Sequence, residues 1–160
     1  MLIKQLALLI LSGIVGHPAH SYAADPAWLI APEEAAMISA LEPREGERGR
    51  GFFGGDYQDV EDGPVISVAK PSVGARVKSP LEILVHFIER HAQVVLSSLK
   101  VEVVTSFISY NLTSRVMPHA TTQGIDMKEA PIPPGKYTIR ISLGDAQGKM
   151  SIRYFSIEVL

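Results

Sequence analysis

Residues 135–159 read GKYTIRISLGDAQGKMSIRYFSIEV, and this stretch decides the fold. Tyr137, Ile139, Ile141 and Leu143 alternate with Thr138, Arg140 and Ser142, which is the period of a strand with one face buried. Gly144-Asp145-Ala146-Gln147-Gly148 then supplies a tight hairpin loop, with Asp145 as its turn acid. Met150, Ile152 and Tyr154 alternate again. The phase slips at Tyr154-Phe155 and resumes as Phe155, Ile157 and Val159, and a slip of one residue predicts a β-bulge.

Working upstream, the same period recurs between turn signals. Pro64 to Ala69 reads as a short strand with proline at its start, and Lys70 to Ala75 as a turn. Leu81, Ile83, Val85 and Phe87 alternate with Glu82, Leu84, His86 and Ile88, and Leu99, Val101 and Val103 with Lys100, Glu102 and Val104. Leu112 to Val116 reads as a weaker edge strand, and Ile125 with Met127 marks another. Seven strands over residues 64–160, with no competing helical period, predict two facing antiparallel sheets. Leu84, Ile88 and Val104 fall on the outward rows, and the segment around Trp28 is expected to fold back over them.

The run Pro131 to Ile141, then Asp145 to Lys149, then Phe155 to Val159 resembles the last hairpin of bacterial immunoglobulin-like and fibronectin-type-III-like domains. The opening, Pro64 to Val68 followed by Pro71-Ser72-Val73-Gly74, is similar to theirs as well. The resemblance covers residues 64–160 and implies an immunoglobulin-like antiparallel β-sandwich of about seven strands. The same ending also resembles CopC-like periplasmic copper-binding domains, which carry a histidine at the mature N-terminus and Asp-Gly-His in the last hairpin. This chain has Asp145-Ala146-Gln147 there, so the fold carries over and the copper site does not.

Before the β region, three segments differ in character. Residues 1–23 have Lys4, an apolar run from Leu6 to Val15, and Ser21-Tyr22-Ala23 with small residues at −3 and −1. The run is shorter than the roughly 20 residues needed to span a bilayer, so it predicts a signal peptide cleaved after Ala23. Residues 24–41 contain Trp28 and Pro32-Glu33-Glu34-Ala35-Ala36, a helix opening with proline and acids in the first turn. Ala35, Ala36, Ile38 and Leu41 would form its apolar stripe. Residues 42–63 crowd ten charges into 22 positions and read as a Gly/charge-rich flexible linker carrying Phe52, Phe53 and Tyr57. Those three aromatics, with Trp28, are the candidate partner-docking residues.

The chain has 160 residues, 15 Lys+Arg against 17 Asp+Glu, and no cysteine. The charge balance gives no footprint for nucleic acid. The absent cysteine removes disulfides, thiolate metal sites and a Cys nucleophile. No G-x-S-x-G, H-E-x-x-H or P-loop occurs, and Asp126, Glu129 and Asp145 form no dense acidic loop, so no catalytic or cofactor-binding residues are assigned. His86, His91 and His119 remain in the mature chain. His86 and His91 are an odd five residues apart and would face opposite ways on a strand. The expectation is a periplasmic or secreted module without catalytic activity or stable membrane insertion, binding another envelope or secreted protein; a CopC-like metal carrier is the alternative.

Overall fold

The structure, a computed structural model, describes residues 28–41 and 57–160. The signal-peptide segment, Phe52 and Phe53 lie outside the described residues. The hairpin of residues 135–159 is β9 (Gly135–Asp145) and β10 (Met150–Val159). Their register runs unbroken from Gly135↔Val159 to Gly144↔Met150, so the expected bulge at Tyr154-Phe155 is absent. The slip in hydrophobic phase has another cause. Phe155, Ile157 and Val159 are buried on the core side, whereas Met150, Ile152 and Tyr154 belong to the outer row, which needs a cover of its own.

The cover comes from residues read as linker. Residues 60–61 form β1 (Val60–Glu61), which pairs with β10 through Val60↔Ile152 and Glu61↔Ser151. Asp59 takes the next ladder position with its side chain: its carboxylate accepts the Tyr154 N–H at 2.8 Å and pairs with Arg153. Gly63 N–H donates to the carbonyl of Met150 and to the hydroxyl of Ser151. A stretch rich in glycine and charge thus contributes an edge strand, because backbone and carboxylate acceptors, not apolar area, hold it.

Two sheets enclose the core. The first has the order β1-β10-β9-β5-β6, with β5 spanning Val94–Val104 and β6 Ser109–Asn111; β3 (Arg76–Val77) pairs in parallel with the end of β10. The second has the order β2-β4-β8-β7, with β2 Val65–Lys70, β4 Leu81–Ile88, β7 Ala120–Thr121 and β8 Gly124–Ala130. The all-β sandwich predicted from alternation is present, with ten strands among the described residues instead of seven; the additions are short edge pieces. Leu81, Ile83, Val85 and Phe87 of one sheet share a core cluster with Tyr137, Ile139, Ile141 and Leu143 of the other.

The expected edge strand at 112–116 is instead a helical turn, α2 (Thr113–Val116), running into a 3-10 turn at Met117–His119. Side chains explain it. Asn111 Oδ1 accepts the Thr113 N–H at 2.9 Å, and Thr113 Oγ1 accepts the Val101 N–H at 3.0 Å, so the ladder of β5 ends on a side chain and the backbone is free to turn. This turn carries the chain from β6 in the first sheet to β7 in the second.

At the N-terminal end, α1 (Pro32–Leu41) forms as expected, and Glu34 accepts the Ala31 N–H at 2.8 Å, half of a capping box. Ala35 and Ile38 are buried, Leu41 is half-buried, and Ala36 faces solvent, so the stripe is narrower than the sequence indicated. Leu29, Ile30, Ala35 and Ile38 join the sandwich core. The segment does fold back, but over the end of the sandwich and not over Ile88; Val104, expected on an outward row as well, is itself buried at 4% exposure. Leu29 N–H donates to the Pro131 carbonyl at 3.0 Å, and Ile88 stays 53% exposed. The end of the sandwich at Pro131 offers an unpaired carbonyl and core apolar surface together, which the outer row of β4 does not.

Candidate functional site

Four separate pieces of chain meet where the crossover α2 joins the two sheets. They are Trp28-Leu29, Pro80, the stretch from Arg115 to His119, and the end of β8 from Met127 to Pro131. Between them lies an open groove of about 630 Å³. The sequence builds it from stiff parts. Pro80 precedes β4, Pro118 opens the 3-10 turn, and Pro131 follows β8, each fixing φ at the groove wall. The register of β4 on β8 shifts between Leu81↔Ala130 and Ile83↔Met127, which crowds an extra residue into β8 beside the groove.

Arg115 locks the N-terminal segment in place. Its Nη1 donates to the Leu29 carbonyl at 3.0 Å and to Glu34 Oε2 at 2.6 Å, and its Nη2 to Glu34 Oε1 at 2.9 Å. This fork-on-carboxylate geometry ties α1 to α2 across 81 residues of sequence. The bond from Arg115 holds the Glu34 carboxyl below its ordinary pKa, against the opposing effect of burial. Glu34 in turn raises the guanidinium. With that charge compensated, His119 and Glu129 are the other titratable groups on the lining, among Trp28, Met127 and the three prolines.

The structure places Trp28 in this groove, half-buried. Tyr57 is elsewhere, stacked on Tyr154 with ring centroids 5.0 Å apart on the outer face of the first sheet. The two candidate docking aromatics therefore mark two different surfaces. His86 is exposed on the outer row of β4, opposite Ser67 and Gly124; His91 is exposed in the loop that follows; His119 stands at the groove. Among the described residues no group of three or more His, Cys, Asp or Glu is placed to hold a metal ion. Asp145 acts as the turn acid: its Oδ1 accepts the N–H groups of Gln147 at 2.9 Å and Lys149 at 3.0 Å.

Pro80, Arg115, Pro118 and Pro131 were not singled out by sequence. Arg115, next to the buried Val116 in a stretch read as a strand, is the signal that could have drawn attention, since a cation beside the core needs a partner.

No family model matches the chain, and no curated protein matches it. Solved structures similar to it include the endo-β-1,4-mannanase from Thermotoga petrophila, at TM-score 0.42 and 17% identity over 61% of this chain. The matched region spans only 20% of that enzyme. CopC from Methylosinus trichosporium OB3b is similar at TM-score 0.40 and 11% identity, covering 59% of this chain and 93% of CopC. Murine CRIg is similar at TM-score 0.37 and 12% identity, covering 60% of this chain and 95% of CRIg. At these values the likenesses assign the chain to no family.

Proposed function

We propose that the chain is an exported, non-catalytic, immunoglobulin-like module of the cell envelope. It acts as a binding or accessory component that engages another envelope or secreted protein through the Trp28 groove. The observation that supports this reading is the make-up of the groove: an aromatic ring, a thioether and three proline rings, with few polar groups, drawn from four chain segments. An apolar concavity with a small number of placed polar groups is the pattern of a recognition site. An aromatic ring held in such a concavity is the pattern of an interface hot spot. Arg115 is already engaged by Glu34 and Leu29, so His119 and Glu129 are the groups that would orient a partner.

The test is photo-crosslinking in living cells. A photoreactive phenylalanine analogue replaces Trp28 in one strain and Val73, which is 56% exposed on the turn between β2 and β3, in another. A discrete adduct from position 28 that is absent from position 73 supports the proposal. No adduct from position 28, or the same adducts from both positions, refutes it. N-terminal sequencing of the fractionated protein tests export, with Ala24 as the expected first residue.

A further inference from the structure

The bulge in β8 puts a carboxylate without a partner into the Trp28 groove. Ile83 pairs with Met127 and Leu81 with Ala130, so Glu82 alone faces two residues, Lys128 and Glu129. The extra residue lets Met127 and Ala130 both reach the core, where they are buried. Lys128 takes the cross-strand place, with its ammonium 3.3 Å from Glu82 and 2.9 Å from Asp126. Glu129 is left over. It is exposed, it lines the groove together with Trp28, and it makes no hydrogen bond or ion pair among the described residues.

The charges around the groove sum to an excess of carboxylates. Arg115, the guanidinium on the lining, is already bound by Glu34, and the field of Glu33 reaches the same guanidinium. Glu33, Glu34 and Glu129 thus stand against Arg115, with the His119 imidazole as the other titratable group of the lining. Lys128 is held by Glu82 and Asp126, and Lys78, two residues before Pro80, is not on the lining. A partner complementary to this balance brings a positive charge. The lining also selects what carries it. An indole face attracts a cation more strongly than any other side-chain ring. A guanidinium is flat enough to stack on it and forked to meet a carboxylate with two parallel N–H bonds, whereas an ammonium is a point charge that does neither. Met127, Pro118 and Pro131 offer apolar contact to the residues on either side of that cation.

We propose that the groove receives an arginine side chain of the partner protein, its guanidinium stacked on Trp28 and paired with Glu129. This rests on the reading of the groove as a protein-binding surface and adds what the partner must present. The chain has one tryptophan, so its indole N–H gives a single cross-peak in the 15N spectrum of the full chain. Three acetylated and amidated peptides are titrated: Pro-Arg-Pro, the same peptide with citrulline, which keeps the shape and loses the charge, and Pro-Glu-Pro. The arginine peptide shifts the indole peak saturably, and the other two bind at least about tenfold more weakly. Glu129→Gln brings the arginine peptide down to the citrulline level. Glu129 is exposed, so this substitution leaves the fold intact, which the rest of the spectrum verifies. Glu89→Gln, in the exposed loop after β4, leaves the arginine preference unchanged. Equal binding of the arginine and citrulline peptides, tighter binding of the glutamate peptide, arginine binding undiminished by Glu129→Gln, or no shift with any peptide overturns the proposal. The crosslink from position 28 judges the protein-binding reading separately: a discrete adduct there without an arginine preference leaves that reading standing and removes this inference alone.

Discussion

Ile38→Ala tests whether the N-terminal segment is part of the folded core or an appendage to it. Ile38 is 1% exposed and belongs to the same cluster as the sandwich interior. The substitution removes three carbons, and at about 0.8 kcal/mol per buried methylene the transfer loss is about 2.4 kcal/mol. The cavity left behind raises the total to about 3–4 kcal/mol. For a chain of this size, at about 3 °C per kcal/mol, the melting temperature falls by about 10 °C. A second path limits that figure. No strand of either sheet pairs with α1, so the helix can leave the core without unfolding the sheets, and the loss then stops at the free energy of docking. Leu29, Ile30 and Ala35 are buried beside Ile38, and the Leu29–Pro131 hydrogen bond and the Arg115 fork hold the segment from outside. Calorimetry reads the global melt, and hydrogen exchange at the α1 amides reads local release. Met37→Ala, at a position 51% exposed, is the control and shifts stability by less than about 0.5 kcal/mol. If Ile38→Ala moves the melt by under about 2 °C while the parent's α1 amides exchange as an open chain would, the helix is not a core element and the reasoning fails.

Two further predictions rest on other observations. Because Arg115 lowers the Glu34 pKa in the folded state, that pair stabilises the protein above the ordinary carboxylate pKa, and the contribution is lost as pH falls through the lowered value. Glu34→Gln or Arg115→Ala therefore costs about 1–2 kcal/mol at neutral pH and flattens the acid limb of a stability-versus-pH curve; an acid limb unchanged from the parent's in both variants refutes the assignment. Gly124→Ala is expected to cost more than about 3 kcal/mol. A Cβ there would lie 2.0 Å from the Val85 carbonyl oxygen, at a φ of +153°. A urea midpoint equal to the parent's would show that β4 and β8 can shift to admit it.

Much of the fold was legible because strand period is local. Tyr137 to Leu143 and Leu81 to Phe87 alternate within themselves, and both rows are buried as read. The misreadings share a cause. Leu112 to Val116 reads locally as a weak edge strand, but the side chains of Asn111 and Thr113 cap the ladder and turn the chain. Ile152 and Tyr154 looked like a broken phase because the residues that cover them, Val60 and Tyr57, lie some 90 positions away in sequence. The site was the least legible part. Trp28 was visible as a lone aromatic, whereas Arg115, Pro80, Pro118 and Pro131 acquire meaning only beside it.

By itself, then, the sequence determined the all-β class, the strongest strands, the hairpin turn at Asp145 and the start of α1 at Pro32. Each is set by neighbours within a few residues: side-chain alternation, turn chemistry and first-turn capping. The tertiary structure decided the rest. It determined that residues 57–61 become an edge strand and its cover, that α1 docks at Pro131 through Arg115, and that Trp28 and Tyr57 lie on separate surfaces. Those outcomes depend on which unsatisfied carbonyl, carboxylate or apolar row lies within reach once two sheets have closed, and no local window of sequence contains that information.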